Sequence, residues 1–146
     1  MRVGDNWIGK VVKVIEQSKE WSSTVIFITY DDCGCFYDHV RPGKNPDGTQ
    51  QGIRLPLVIV SPYAKAGYTD SHHASLASIL RFTERTFGLE SLDVNDAHAY
   101  DYADAFNFAA KPTGSRVTMR EYAVPASSRQ FLASHPVSAE DEDDPT

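Results

Sequence analysis

An uncharged run of β-branched and aromatic residues at 24–30, TVIFITY, constrains the fold more than any other stretch of this chain. A strand without a charged side chain is predicted to be buried on both faces. Such strands are typical of parallel sheets that helices cover on either side. Two adjacent acids, Asp31 and Asp32, follow the strand at once. In α/β proteins, the carboxyl ends of buried strands commonly carry metal ligands or catalytic groups.

The segments around this strand predict a layered α/β domain. Apolar residues at helical spacing precede it and indicate a helix that Asp5 or Asn6 would cap. Residues 55–60 predict a second buried strand with Pro56 at its entry. A second apolar helical stripe starts at Leu76 and would stop at Gly88. Helix, strand, loop, strand and helix in this order are typical of an α/β fold.

Regular patterning fades after Leu92, although acids and aromatic residues continue up to Phe108. We therefore assign residues 1–108 to the α/β domain. Residues 109–146 are expected to form an irregular to disordered tail, because they are rich in small and breaker residues and end in AEDEDDPT.

Net charge and hydropathy limit the kinds of partner and membrane association that we expect of the chain. Its 146 residues suffice for one domain, and a formal net charge of −6 argues against nucleic-acid binding, which needs a basic face. No apolar run approaches the length of a transmembrane segment. The first ten residues, MRVGDNWIGK, lack the hydrophobic core of a signal peptide, so the sequence leaves the localisation open.

Asp31 and Asp32 are the first candidate metal ligands. Neighbouring side chains of a regular strand point to opposite faces, so both acids can bind one ion only if the backbone turns there. Gly34 would permit such a turn. Hard carboxylate oxygens suit Ca²⁺, Mg²⁺, Mn²⁺ or a mixed zinc-type site. The alternative is a strand-end turn with two solvated acids.

Other polar residues offer weaker signals. His39 could bind a phosphate oxygen, ligate a metal or protonate a leaving group, or it could cap backbone groups of a loop. Cys33 and Cys35 leave a soft-metal site incomplete, so small residues at a tight turn are favoured over a redox or zinc role. His72 and His73 are interpreted as caps and surface groups. Four aromatic residues are assigned to the core: Trp7, Trp21, Phe82 and Phe87.

Four segments together resemble the bacterial phosphoesterase family of phospholipase C and acid phosphatase, within the alkaline phosphatase superfamily. They are GDNWIGKVVKVIEQSKEWSSTVIFITYDDCGCFYDHV, RLPLVIVSPYAKAGYTD, SILRFTERTFGLESL and DAFNF. They follow the order and spacing of the family and cover residues 3–108 approximately.

The resemblance implies a three-layer α/β/α sandwich and metal-dependent hydrolysis of phosphate esters, with phospholipids or phosphomonoesters as substrates. It implies that Asp31 and Asp32 coordinate a divalent metal ion and that His39 lies close to it as a catalytic residue. Two positions depart from the family pattern. Cys35 stands where family members often have glycine, and Asp32 where they often have the longer glutamate.

The family's Glu-Asn metal pair and its Ser or Thr nucleophile have no counterpart in this sequence. The resemblance therefore covers only the C-terminal part of such a domain, which would leave a sheet edge and apolar faces uncovered. We expect a homo-oligomer or a complementing N-terminal segment, and an isolated chain that is inactive or weakly active. The alternative is a catalytically inactive, truncated relative that acts as a metal-binding or interaction module.

Overall fold

The computed structural model describes residues 2–32, 36–112 and 118–136 and shows a mixed α/β protein. Its elements lie in this order: α1 Arg2–Glu16, β1 Ile26–Thr29, β2 Leu57–Val60, α2 Leu76–Phe87, α3 Val94–Ala97 and α4 Ala126–Ser134. Two short 3-10 turns span Trp21–Ser23 and Ala103–Ala105. The chain divides into two compact units. One contains the described residues of 1–18 and 117–146, and the other those of 19–116.

β1 and β2 form a two-stranded antiparallel sheet, in which Ile26 pairs with Val60 and Thr29 with Leu57. The prediction of a parallel sheet is therefore wrong. Burial on both faces is also wrong, since every residue of β1 is only half-buried and Val58 of β2 is 54% exposed. β-Branched and aromatic residues favour a strand in either direction, whereas the partner's direction depends on the connection between the strands.

The core of the second unit is aromatic. Tyr102, Ala105 and Phe106 are its buried centre. Phe27 of β1 lies 5.2 Å from Phe82 of α2 between ring centroids and 5.5 Å from Tyr102. These contacts connect the sheet, α2 and the segment after α3 in one cluster. They lie in the part of the chain that carries the candidate site residues.

α2 confirms the prediction made from its sequence. It begins after Ser75, which forms a capping box with Ser78, and it ends at Gly88 with φ +67°. Glycine adopts this left-handed conformation without the steric cost that a Cβ atom would add. Phe82 packs against the core as predicted. Phe87 is 72% exposed, so its assignment to the core is wrong.

α1 lies against an extended segment of the same unit. The Asn6 side chain donates to the Tyr122 carbonyl oxygen at 2.8 Å and accepts from the Tyr122 N–H at 3.0 Å. Lys10 forms an ion pair with Glu121. α1 begins at Arg2, so Asp5 and Asn6 lie inside the helix and the prediction that one of them caps it is wrong.

The helical pattern of α1 gives a wrong prediction of burial for Trp7. Its side chain is 66% exposed, which contradicts its assignment to the core, while Val12 is buried. Trp7 lies on the solvent-exposed face of α1, although it belongs to the apolar pattern from which the helix was predicted. Trp21 is half-buried, and its indole N–H finds no acceptor within the described ranges.

α4 forms within the stretch that the sequence suggests is irregular. It is nine residues long, and none of its residues is buried. No helix among the described residues combines the length and apolar character that crossing a bilayer requires.

Candidate active site

The acids predicted to bind metal lie immediately beyond β1. Thr29, the last residue of the strand, donates its hydroxyl hydrogen to the Pro56 carbonyl oxygen at 2.8 Å. Asp31 and Asp32 then lie in a bend, and both are exposed. The Asp32 N–H donates to Asp31 Oδ1 at 3.0 Å. Two adjacent acids can approach one ion only if the backbone leaves the regular strand, and it does so at Asp31 and Asp32.

Residues 33–35 are outside the described part of the chain. The turn expected at Gly34 and the soft-metal alternative for Cys33 and Cys35 both fall there. Within the described ranges, no cluster of three or more His, Cys, Asp or Glu side chains has the arrangement of a metal site. The twin acids thus supply hard oxygen donors, and further ligands would have to come from elsewhere.

Asp38 belongs to a different arrangement, an ion pair with Arg54. The guanidinium donates from Nε to Asp38 Oδ2 at 2.9 Å and from one terminal nitrogen to Oδ1 at 2.8 Å. The N–H groups of Val40 and Arg54 also donate to this carboxylate. The hydrogen bonds from Arg54 chiefly hold the pKa of Asp38 well below its usual range. Asp38 therefore anchors a loop and stays charged.

Arg54 was not among the residues predicted for the site. It is separated from Asp38 by 16 positions, so no local pattern joins them. The one feature of the sequence that marks Arg54 is its position as a single positive residue directly before the predicted second strand.

His39 is exposed and follows Asp38 of this ion pair in sequence. Its ring meets Tyr37 edge to face, with 5.1 Å between ring centroids. The imidazole forms no hydrogen bond to any residue in the described ranges. Both ring nitrogens thus retain hydrogen-bonding capacity that a phosphate oxygen could use. The catalytic role of His39 remains a prediction.

A second polar cluster surrounds Asp70, a residue for which no role in a site was predicted from the sequence. His72 bonds Asp70 Oδ1 through its Nδ1 at 2.8 Å, and the Tyr100 hydroxyl donates to Oδ2 at 2.8 Å. His72 also stacks on Tyr100, with 4.4 Å between centroids. Burial opposes the charge of Asp70, but these bonds and the His72 N–H outweigh it and lower its pKa. Burial and the bond to Asp70 raise the pKa of Tyr100.

His73 has a different neighbour, since its Nε2 lies 2.9 Å from Gln51 Oε1. Neither His72 nor His73 caps α2, whose N-cap is Ser75. Both are exposed, which confirms their interpretation as surface groups. Their interpretation as caps is wrong, because Ser75 occupies the N-cap position.

Comparison with known proteins finds one matching protein family and several similar enzymes. The Phosphoesterase family profile matches residues 1–90, which include Asp31, Asp32 and His39. Non-specific phospholipase C6 of Arabidopsis thaliana is 30% identical, over 82% of this chain and 28% of its own length. Non-hemolytic phospholipase C of Burkholderia pseudomallei is 28% identical, over 75% of this chain and 20% of its own. Phospholipase C A of Mycobacterium tuberculosis is 27% identical, over 66% and 24%. The chain thus spans less than a third of each relative.

Proposed function

Because this chain belongs to the Phosphoesterase family, we propose that it contributes to the hydrolysis of phosphate esters as one part of a larger catalytic domain. The observation that carries the proposal is the family match across the acidic end of β1. The printed names of the relatives are those of phospholipases C, which favours a phospholipid or another phosphate ester as substrate.

We assign metal binding to Asp31 and Asp32. Their oxygens are the hard donors that a divalent cation prefers, and both side chains reach solvent at the strand end. Such an ion, when bound, would stabilise negative charge on the phosphoryl group. His39 is proposed to donate a hydrogen bond to a phosphate oxygen or a proton to the leaving group. The remaining ligands and the nucleophile would come from a complementing N-terminal segment.

The same membership supports a proposal about architecture. We propose that residues 1–108 form the C-terminal part of a three-layer α/β/α sandwich, and that residues 109–146 lie outside that domain as a tail. In this arrangement, β1 and β2 would join a larger sheet. The half-buried state of β1 in the present chain is what an incomplete sheet would leave.

A second candidate function is a non-catalytic, metal-binding or interaction module. The observation in its favour is that the two acids have no third metal-ligating side chain grouped with them in the described ranges. Catalysis of phosphoryl transfer needs a more completely held ion and an aligned nucleophile. We therefore expect the isolated chain to be inactive or weakly active.

Metal binding by the full 146-residue chain tests the assignment. We expect Mn²⁺ affinity, measured by isothermal titration calorimetry, to fall about tenfold or more in an Asp31→Ala, Asp32→Ala variant, because two anionic ligands are lost. A matched control is Asp5→Ala, Glu90→Ala, which removes two exposed carboxylates elsewhere. Equal weakening in both double variants would show non-specific attraction and would refute the site.

Hydrolysis of an aryl phosphate distinguishes the two functions. The chain alone should show little turnover with or without divalent metal. Adding the N-terminal part of the Burkholderia relative, up to its matched region, should restore turnover if this chain completes a catalytic domain. That gain should be absent with the Asp31→Ala, Asp32→Ala variant. Metal binding without turnover in the mixture would favour the non-catalytic module.

A further inference from the structure

A cavity of about 240 Å³ lies in the second unit, apart from the residues assigned to the metal. Three segments form it: the loop at 44–51, the start of α2 and residues 95–100. Asp31, Asp32 and His39 do not line it. Its volume is below the range of about 300–1,000 Å³ of drug-sized ligand sites, so it suits a small group.

The charge of the lining differs from that of the chain. The sequence has 20 acidic and 14 basic residues, yet no Asp or Glu lines the cavity. Lys44 does, and it forms no ion pair with a described residue. The Asp47 carboxylate of the same loop does not line the cavity and is hydrogen-bonded by Thr49 and Asn95. Among the described residues, Lys44 is therefore the one formally charged side chain in the cavity lining.

Two histidines line the same cavity, and their hydrogen bonds fix which nitrogen is left over. Gln51 donates through its amide nitrogen to Asn45, so its Oε1 is the acceptor for His73 Nε2–H. His98 donates from Nδ1 to the Val94 carbonyl oxygen at 2.9 Å. The remaining nitrogens are Nδ1 of His73 and Nε2 of His98. Each can accept a hydrogen bond from the O–H group of a protonated oxyanion, and in an imidazolium each would donate one.

An anion fits this lining better than a cation. Two imidazoles without a third ligating group do not complete a metal site, and Lys44 would repel a cation. Ser75, the N-cap of the twelve-residue α2, also lines the cavity, so the positive end of the helix dipole adds to Lys44 and the imidazoles.

We propose that this cavity binds a phosphate-sized oxyanion through Lys44, His73 and His98. The ligand is inorganic phosphate or the phosphate of a lipid head group, which share the same chemistry. The site is separate from the metal-binding acids and does not depend on the proposed hydrolysis. It would hold a phosphate group within residues 1–108, at a place that does not include the metal-binding acids.

The test measures inorganic phosphate binding to the full chain by ³¹P NMR, without divalent metal. We expect Lys44→Gln and His98→Asn each to weaken binding about tenfold, since each removes a charge-assisted hydrogen bond. The control Lys19→Gln removes a cation whose side chain is 92% exposed outside the cavity. Amide NMR spectra confirm that each variant is folded.

The outcomes separate this site from the proposed function. The Asp31→Ala, Asp32→Ala variant should bind phosphate as the parent chain does, and loss of binding there would overturn the proposal. Monomeric short-chain phosphatidylcholine, tested in parallel, identifies the source: tighter binding of the lipid indicates a head-group site, and tighter binding of phosphate indicates the free anion. Binding of neither ligand, or equal weakening by Lys19→Gln and Lys44→Gln, would also refute the cavity as an oxyanion site.

Discussion

At the scale of single residues, the ion pair between Asp38 and Arg54 determines how the loop after β1 is held. The Asp38 side chain is 9% exposed and accepts from both the guanidinium and two backbone N–H groups. His39 is the next residue, so the pair fixes the backbone from which that imidazole projects. Arg54 is therefore a positioning residue for the candidate site.

Replacing Arg54 by glutamine should raise the pKa of Asp38 toward its ordinary range, since the main cause of its lowering is removed. A pKa lowered in the folded state contributes stability that is present above the unfolded value near pH 4 and is lost as the pH falls. As the pH falls below about 4, the free energy of unfolding should therefore decrease less in the variant than in the parent chain. Carboxyl ¹³C NMR titration measures the pKa, and urea unfolding at several pH values measures the stability.

Arg41→Gln is the matched control, because Arg41 is an exposed arginine in the same loop without an ion pair to a described residue. It should leave the pKa of Asp38 low. An unchanged Asp38 titration in Arg54→Gln would contradict the assigned cause.

At the scale of elements, a pair of buried carboxyl groups connects α2 to α3. Glu84 and Asp96 are each 2% exposed. Asp96 accepts from the N–H groups of Leu92 and Asp93. Glu84 Oε2 accepts from the Ser91 hydroxyl at 3.2 Å, whereas Glu84 Oε1 has no hydrogen-bond partner in the described ranges. The neighbouring Glu84 side chain chiefly lowers the pKa of Asp96 to about 2.

In Glu84→Gln, an amide N–H can donate to the charged Asp96 carboxylate, so we expect its free energy of unfolding at pH 7 to equal or exceed that of the parent chain. Glu84→Ala should lose about 2 kcal/mol, because it leaves a cavity and removes the acceptor of the Ser91 hydroxyl. Urea unfolding checks both variants. Similar destabilisation by glutamine and alanine would contradict a favourable contact between the amide and Asp96.

Sequence patterns predicted those elements whose signals are local. α2 follows from an apolar stripe, a serine before it and a glycine after it, which lie within fourteen consecutive residues, 75–88. The direction of β2 relative to β1 depends on a connection of 27 residues, and no periodicity encodes it. The same limit applies to the site: the adjacent acids were visible in the sequence, whereas Arg54 and Tyr100 reach their partners from distant positions.

At the scale of the whole molecule, exposed apolar side chains outweigh the buried core. Val12, Val60, Tyr102, Ala105 and Phe106 are the buried hydrophobic residues of the described ranges. In contrast, Phe36, Tyr37, Phe87 and Leu92 are each at least 72% exposed. An incomplete domain leaves uncovered those apolar side chains that its missing part would bury. The exposed residues fit the proposal that this chain is one part of a larger domain.

We expect the isolated chain to self-associate as its concentration rises and to bind an apolar dye, because these side chains gain by leaving water. Light scattering coupled to gel filtration measures the mass. Phe87→Gln with Leu92→Gln should shift the balance toward monomer, whereas Lys19→Gln should not. A strictly monomeric parent chain without dye binding would contradict the expectation.

The paired hydrogen bonds between Asn6 and Tyr122 have a practical consequence for anyone who shortens this protein. A chain shortened to residues 1–90, the part that matches the family profile, would lack Tyr122, whose backbone is hydrogen-bonded to the Asn6 amide. It would also lack Glu121, which forms the ion pair with Lys10. Its opening helix would lose a neighbour from the far end of the polypeptide. Boundaries drawn from homology alone would thus cut away part of that helix's support.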